Sequence, residues 1–280
     1  MTHPNDAEIE RYTDHYFNRT KQVIGQFGDS RVTYAIFMRR PVVFAPRLAL
    51  EWLEELGRSR NTSVELDLRY GEGKWVGAGE PMMYITGSFF HLVDLETIFL
   101  QKLGPACVAA YNAWTMCADM PKSAFLAMDA RHCAGQEMAE MMAYAASVGS
   151  ARAKRKVGAL GFIGNATHAT AHFFGRDQGL GTMPHALIGY AGSTLRAALD
   201  KAGFRSVKIV ASSGFGPAKC RVMAEAKAPI DVVGTGSFLP SNWTETYATA
   251  DIVEYDGEKR VKIGREFLHR GRPNGSGRPL

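Results

Sequence analysis

The chain has 280 residues, 46% of them hydrophobic and 22% charged, with a formal net charge of +5; these figures are ordinary for a globular protein with a sizeable core in one large or two moderate domains. The modest positive charge suits an anionic small molecule as well as nucleic acid and selects neither. No apolar run approaches the ~18 residues needed to cross a bilayer, and the opening "MTHPNDAEIERY" has neither the basic nor the apolar region of a signal peptide.

Residues 1–104 read as α+β. The amphipathic "DAEIERYTDHYFNRTKQVIGQFG" is followed by the strand-like "RVTYAIFMRR" and a helix in "LALEWLEELGRS". In "SVELDLRYGEGKWVGAGEPMMYITGSF", Gly71, Gly73, Gly77, Gly79 and Gly87 punctuate alternating apolar residues, the mark of tight turns in a small sheet. "HLVDLETIFLQKLGPACVAAYNAWTM" has helical spacing and reads as two helices broken at Gly104–Pro105.

From about residue 124 short apolar strands alternate with helical stretches. The strands are expected at 124–129, 157–163, 179–183, 206–212 and 230–235, and the helices around 136–148, 165–174, 185–202 and 216–227. Such alternation implies parallel strands joined by crossover helices. "ATADIVEYDG" and "KRVKIGREF" read as two further strands, and the tail "HRGRPNGSGRPL" as disorder. The expected architecture is α/β: an irregular, incomplete α/β barrel of mostly parallel strands plus an α+β sandwich domain. Residues 1–120, joined by the strands of 247–267, form the sandwich; residues 121–246 form the partial barrel, and 268–280 a disordered tail.

Parallel α/β architecture gathers chemistry at the carboxyl ends of its strands, where the loops converge. Those ends read "DARHCAG", "IGNATH", "GTMPHA", "ASSGFGP" and "GTGSFLP". Glycine lets backbone approach a ligand, and open amides at a helix N-terminus attract an anion. Ser212, Ser213 and Thr235 add hydroxyls, so successive strand ends together point to a phosphorylated ligand.

"TDHYFNRT", "GEPMMYITGSFFHLVDLETIFLQKL", "GFIGNATHATAHFFG", "GTMPHALI", "VKIVASSGFGPAK" and "IDVVGTGSFLP" followed by "ATADIVEYDG" occur in the order seen in nicotinate phosphoribosyltransferases. The resemblance covers most of residues 12–266. It implies transfer of phosphoribosyl from phosphoribosyl pyrophosphate to nicotinate, giving nicotinate mononucleotide and pyrophosphate, with ATP and Mg2+ as cofactors. It also implies a homodimer or higher homo-oligomer with active sites at the interface. His185, after Gly181–Thr182, resembles the histidine that ATP phosphorylates. Arg131 resembles the arginine that meets the base carboxylate, and Tyr16 the aromatic ring that a partner subunit stacks on the pyridine. Thr182 falls beside the base, and Ser212, Ser213, Gly214, Gly234, Thr235 and Gly236 resemble the loops that hold the 5′-phosphate. Ala166 stands where nicotinamide-using relatives carry an Asp, which favours an acid substrate.

The chain departs from the family between residues about 192 and 205. There "GTMPHALIGYAGSTLRAALDKAGFRSVKIV" runs through one helix-like segment, without the family's Asp-containing and Arg-x-Asp strand ends. About two β/α units are missing, too many for a closed eight-stranded barrel, and the exposed edges need cover. Asp129 and Asp231 lie near strand boundaries but match neither motif. A second reading is therefore a shortened relative that binds phosphate or nucleotide without turnover; a third is a quinolinate-type transferase, which needs more basic residues for two carboxylates.

Other features read as structure. His168 and His172 have a metal-capable spacing but no third ligand, so packing is expected and no metal site is assigned. "RAKRK" at 152–156 reads as a solvated helix end, too short and too poor in aromatics for nucleic acid. The methionines of "QEMAEMMAYAAS" fill a core. Cys107, Cys117, Cys133 and Cys220 show no CxxC spacing, so reduced thiols in a cytoplasmic protein without a membrane segment are expected.

Overall fold

The computed structural model describes residues 5–180, 200–201, 203, 205–206, 208, 210–228, 230–236, 238–239, 247–269 and 278–279. The chain divides into two compact units: Met1–Val108 with Trp243–Leu280, and Ala109–Asn242. It runs through α1 (Asp6–Tyr12), α2 (His15–Phe27), β1 (Arg31–Met38), β2 (Val42–Val43), α3 (Arg47–Ser59), β3 (Glu65–Leu68), β4 (Trp75–Val76), β5 (Pro81–Ser88), α4 (Phe89–Leu92) and α5 (Glu96–Asp119). It continues through β6 (Ala124–Ala127), α6 (Gln136–Val157), β7 (Gly161–Asn165), β8 (Val210–Ala211), α7 (Pro217–Glu225) and β9 (Val232–Thr235). It closes with β10 (Ala248–Tyr255), β11 (Glu258–Lys259) and β12 (Arg278–Pro279).

The first unit is built on an antiparallel sheet of order β11-β10-β1-β5-β3-β12. In β1 every residue from Val32 to Met38 is buried, so both faces are covered and the sequence runs apolar without alternation. Ala35 and Phe37 pack with Tyr84, Val253 and Leu268, whereas Tyr34 and Ile36 point to the side lined by Leu53, Leu92 and Phe99. The helix α3 buries Leu48, Ala49, Trp52, Leu53 and Leu56, the spacing of one helical face.

A buried ion pair ties the helical layer together. Arg60, directly after α3, grips both carboxylate oxygens of Asp94 at 2.7 and 2.8 Å, and Lys21 of α2 adds a contact at 2.5 Å. The Thr13 hydroxyl donates to the Asp94 carbonyl. Burial pushes the Asp94 carboxyl up, but the bonds from Arg60 and Lys21 outweigh it and hold the group below the usual carboxylate range.

Three expectations are corrected here. The break at Gly104–Pro105 does not occur, because α5 runs unbroken through Pro105. A proline inside a helix costs about 3 kcal/mol, and the burial of Leu103, Ala106, Cys107, Val108 and Ala109 on every side outweighs it. "KRVKIGREF" is strand only at its start: Gly264 takes φ +84, Ile263 is 94% exposed, and Leu268 turns inward to full burial. The tail expected to be disordered from residue 268 begins in that ordered turn, where the Tyr84 hydroxyl donates to the Leu268 carbonyl at 2.5 Å. Arg278–Pro279 pairs with Glu65 and Leu66 of β3.

The second unit holds a parallel sheet of order β7-β6-β9-β8. The first strand in sequence lies beside the last, β6 against β9, in register from Ala124↔Val232 to Ala127↔Thr235. Among the described residues the edges are β7 and β8. First and last strands lying side by side are compatible with a barrel.

The crossover helix α6 extends past its expected end to Val157 and places "RAKRK" in its last turns, where cations suit the helix dipole. At Gly149 an added Cβ would strike the Ala110 carbonyl oxygen and come within 2.8 Å of the Ala113 Cβ. The α5 and α6 backbones therefore touch there, which no side chain allows. The helix expected over 165–174 is absent. The chain instead makes a loop with a 3-10 turn at Ala171–Phe174, closed by a hydrogen bond from the Leu180 amide to the Asn165 carbonyl. Of the strand expected at 179–183, Gly179 and Leu180 are not in a strand and the rest lies outside the described residues. His168 accepts from the Gly179 amide and the His172 ring lies 4.1 Å from that of Phe173 at a tilt; both histidines are exposed, so neither is packed into a core as expected. Met141 and Met142 are buried. All four cysteines are free.

Candidate functional site

The carboxyl ends of the parallel strands finish level. Ala127 faces Asn165 on one side and Thr235 on the other, and Ala211 faces Val233, which brings Ser212 and Ser213 level with Gly234 and Thr235. Two glycines let the loops close up. A Cβ at Gly234 would meet Met128 Sδ at 2.8 Å and Ser212 Cβ at 3.1 Å, and one at Gly236 would meet the Met128 carbonyl oxygen at 2.7 Å and the His132 ring at 3.0–3.1 Å. The turn after β6 is thus folded directly over the end of β9, and the Met128 amide donates to the Thr235 carbonyl at 2.8 Å.

That turn carries Arg131. Ala130–His132 is a single 3-10 turn in which Arg131 is exposed and donates from Nε toward His132 Nε2 at 3.4 Å. Beneath it Asp129 is buried, at 4% exposure. The Cys133 thiol donates to the Asp129 carbonyl at 3.4 Å and reaches Oδ2 at 3.7 Å. Burial pushes the Asp129 carboxyl up to about 6, its own backbone N–H and Cys133 offsetting only part of this. Burial and then the Asp129 charge push the Cys133 thiol up to about 12, which makes it a poor nucleophile at neutral pH.

On the other side of β9 lies the loop from β8 to α7, the one expected to hold a phosphate. Ser213 and Gly214 both take positive φ, +86 and +63, and α7 follows with Gly216 as its N-cap and Pro217 in its first turn. Successive amides turned in this way, ahead of a helix N-terminus, concentrate positive potential. Lys219 Nζ donates to the Ser213 carbonyl at 2.7 Å and lies 4.9 Å from the Phe215 ring centre, so a cation braces the loop from behind. One expectation changes: the Thr235 hydroxyl is fully buried and donates to the Phe215 carbonyl at 2.9 Å. It fixes the cradle from within and is not open to a ligand.

At the end of β7, Asn165 is 3% exposed. Its Nδ2 donates to the hydroxyls of Thr167, at 2.9 Å, and Thr170, while Oδ1 is buried without a partner. Ala166 is exposed, and its amide donates to the Ala127 carbonyl.

Tyr16 belongs to the other unit. It stands 59% exposed on α2, with its ring 4.1 Å from that of Phe17. It lines an open cleft of about 820 Å³ with Tyr34, Glu96, Asp251 and Tyr255. Burial, then Asp251 and Asp14, push the Glu96 carboxyl up to about 7, and burial raises the Tyr16 hydroxyl above its ordinary value. Thr182 and His185 lie outside the described residues. The structure therefore brings Arg131, Ser212, Ser213, Gly214, Gly234 and Gly236 to one sheet edge. Asn165 and Lys219 escaped the reading of the sequence, since an Asn in a strand-end loop and a Lys in a helix carry no pattern of their own. Asp129 was visible as a polar residue ending an apolar run, without a motif to assign it.

Among the described residues no group of three or more His, Cys, Asp or Glu side chains could hold a metal ion. The carboxylate at the strand ends, Asp129, is buried against Cys133. These residues do not fit a protein-held Mg2+.

No family model matches the sequence, and no curated protein matches it. Solved structures do. Nicotinate-nucleotide pyrophosphorylase from Pyrococcus furiosus aligns with TM-score 0.71 over 93% of this chain and 80% of its own, at 21% identity. Human nicotinic acid phosphoribosyltransferase aligns with TM-score 0.66 over 90% and 76%, at 14% identity. Nicotinate-nucleotide pyrophosphorylase from Ehrlichia chaffeensis aligns with TM-score 0.56 over 90% and 100%, at 12% identity. The chain has the mixed α/β fold of these proteins, with an antiparallel sheet in one unit and a parallel sheet in the other. No helix among the described residues is long and apolar enough to cross a membrane.

Proposed function

We propose that the protein is an enzyme of the nicotinate phosphoribosyltransferase type, acting in NAD biosynthesis or salvage. The pyridine nitrogen of nicotinate attacks the anomeric carbon of phosphoribosyl pyrophosphate. A C–N bond forms, the C–O bond to pyrophosphate breaks, and nicotinate mononucleotide and pyrophosphate leave. The observation that carries this reading is the packing of the Arg131–His132 turn on Gly236, with Gly234 held between Met128 and Ser212. A base-binding cation and a phosphate cradle thereby become neighbours on one sheet edge.

In this reading the Arg131 guanidinium pairs with the nicotinate carboxylate, for which its planar fork is suited. The amides of Ser212–Gly214 and the first turn of α7 hold the 5′-phosphate, and Gly234 and Gly236 allow the close approach. Tyr16 of a partner subunit covers the pyridine face in a homodimer or higher homo-oligomer. Thr182 flanks the base and His185 accepts phosphate from ATP. These groups contribute by positioning the two substrates for in-line attack.

A second reading follows from the lack of the family's Asp-containing and Arg-x-Asp strand-end motifs in the sequence: a shortened relative that binds nucleotide without turnover. The test is to incubate the purified chain with nicotinate, phosphoribosyl pyrophosphate and Mg2+, with and without ATP, and measure pyrophosphate and mononucleotide. Equal yields of both are expected, with ATP stimulation lost in His185→Ala. Calorimetric binding of nicotinate mononucleotide with no product would instead establish the second reading. Product from quinolinate but not from nicotinate would establish the quinolinate-type alternative.

A further inference from the structure

The parallel sheet has two ends, and the candidate site occupies one of them. At the other, where the chain enters the strands, cations gather. The helix α6 closes with Lys154, Arg155 and Lys156 in its last turn, all three exposed. Three consecutive residues fan over about 200° of a helix, so they ring its end and do not line a single edge. Gly158 takes φ +66 and turns the chain back, its amide donating to the carbonyls of Ala153 and Lys154. Two aliphatic side chains then stand in water, Val157 at 48% and Leu160 at 53% exposure. The Leu160 amide donates to the Pro121 carbonyl at 2.9 Å, which brings the exposed Lys122 alongside. Of the carboxylates at this end, Asp119 and Asp231 lie 3.7 Å from Arg221 and Lys208, and Glu225 is matched in charge by Lys227. Lys122, Lys154, Arg155 and Lys156 therefore make a net positive surface around two exposed aliphatic side chains.

We propose that this end of the second unit is a docking surface for a bilayer carrying anionic phospholipid headgroups. Charge complementarity supplies the attraction. Each Lys or Arg held at such a surface raises the partition about fivefold, so four together are worth several hundredfold. The attraction acts within a Debye length and weakens with salt. The aliphatic pair selects among anionic partners. Val157 and Leu160 stand among the cations, where a bilayer lets them pass below the headgroups to the acyl boundary. A nucleic-acid backbone offers them nothing, and residues 154–160 bring no aromatic ring on which a base could stack. Docking of this kind is peripheral and reversible, because a few cations and two aliphatic side chains fall far short of a spanning helix. It leaves the carboxyl ends of the strands, with Arg131 and the Ser212–Gly214 loop, at the opposite end of the sheet.

The test is co-sedimentation of the full chain with vesicles of phosphatidylcholine alone and of phosphatidylcholine mixed with phosphatidylserine, at low and high salt. The chain should bind the mixed vesicles at low salt, leave them at high salt, and stay off phosphatidylcholine. A triple variant, Lys154→Gln with Arg155→Gln and Lys156→Gln, keeps the side-chain stems and should lower the partition about a hundredfold. Leu160→Ser keeps every charge and should weaken binding about tenfold. Thermal melting checks that each variant is folded. If the triple variant does not fold, Lys122→Gln should still show a loss of about fivefold. Equal binding to both kinds of vesicle, binding to neither, or an undiminished partition in a folded charge variant overturns the proposal. An unchanged partition in Leu160→Ser overturns it too, since charge alone would then be at work. So does polyuridylate that displaces the chain from mixed vesicles at equal anion concentration, which would make the partner a nucleic acid.

Discussion

In the first unit, β1 is paired from end to end with β10 on one side and β5 on the other and is buried on both faces. In the second, β8 pairs with β9 over Val210 and Ala211 alone, and the strand ends carry Asp129, Asn165 and Thr235, all buried polar groups. The helical layer of the first unit gathers Arg60 and Lys21 into a neutralised knot around Asp94. The parallel sheet keeps buried polar groups at the carboxyl ends of its strands, where Asn165 Oδ1 has no partner among the described residues, and Thr249 Oγ1 on β10 of the first sheet has none either. The two sheets differ in how far their strands are paired, not in whether every buried polar group is satisfied.

The largest effect expected from breaking this contrast is at Asp94. Asp94→Ala leaves Arg60 and Lys21 without their carboxylate; Arg60 has only 4% of its side chain exposed. Removing one partner of a buried ion pair costs about 3–5 kcal/mol, to be read from urea denaturation. The sign with pH follows from the lowered carboxyl. The stabilisation is complete above the ~3.9 of an unfolded aspartate and is lost as pH falls through the lower folded value. Asp94→Ala should therefore lose the steep acid side of the wild-type stability profile. Retention of that slope would show that other carboxylates govern it.

Next is Gly149→Ala in the second unit. The new methyl must displace the Ala110 carbonyl and the Ala113 methyl, both on α5. Overpacking of this kind costs about 2–3 kcal/mol, read as a lowered Tm. An unchanged Tm would mean that α6 can lift away from α5 freely.

Asp129→Asn should do the reverse of Asp94→Ala. A carboxyl raised to about 6 is costly to ionise in the folded state. The penalty is absent below the unfolded pKa of ~3.9, grows as pH rises to the folded value, and is complete above it. The amide variant should be more stable than wild type by about 3 kcal/mol at pH 8, a gain that disappears below about pH 3. A variant less stable at pH 8 would show that the charge is neutralised by a group not yet identified.

How far these features are legible in the sequence differs between the units. "RVTYAIFM" and "LALEWLEEL" announce themselves because burial on two faces or one leaves a direct hydrophobic pattern. "AFLA" and "VVGT" do so as short apolar runs between polar loops, and their ends locate Arg131, Ser212 and Gly234. The unbroken α5 is illegible, since local proline chemistry opposes it and tertiary burial overrides that chemistry. The closed loop over 165–180 is illegible for another reason. "ATHATAHFF" has helical spacing, yet Thr167 and Thr170 are drawn to the Asn165 side chain, a competition that short polar side chains often win. At Thr235 the residue type is visible but not its direction, and an inward hydroxyl has the same letter as an outward one.

The smallest stability effect is expected at Arg131, and it separates site from scaffold most cleanly. Its side chain is exposed on a 3-10 turn and donates only weakly, at 3.4 Å, to His132. Arg131→Ala should change stability by less than about 0.5 kcal/mol, as exposed substitutions do. A charge-assisted bond to a ligand carboxylate is worth about 1.5–3 kcal/mol, so nicotinate affinity should fall about 10- to 100-fold in the same variant. Arg131→Lys keeps the charge and loses the fork, and it should recover part of that loss. If Arg131→Ala binds nicotinate as tightly as wild type, the β6 turn is not the base site. The exposed cation would then belong to the surface, and the contrast between the two sheets would lose its functional side.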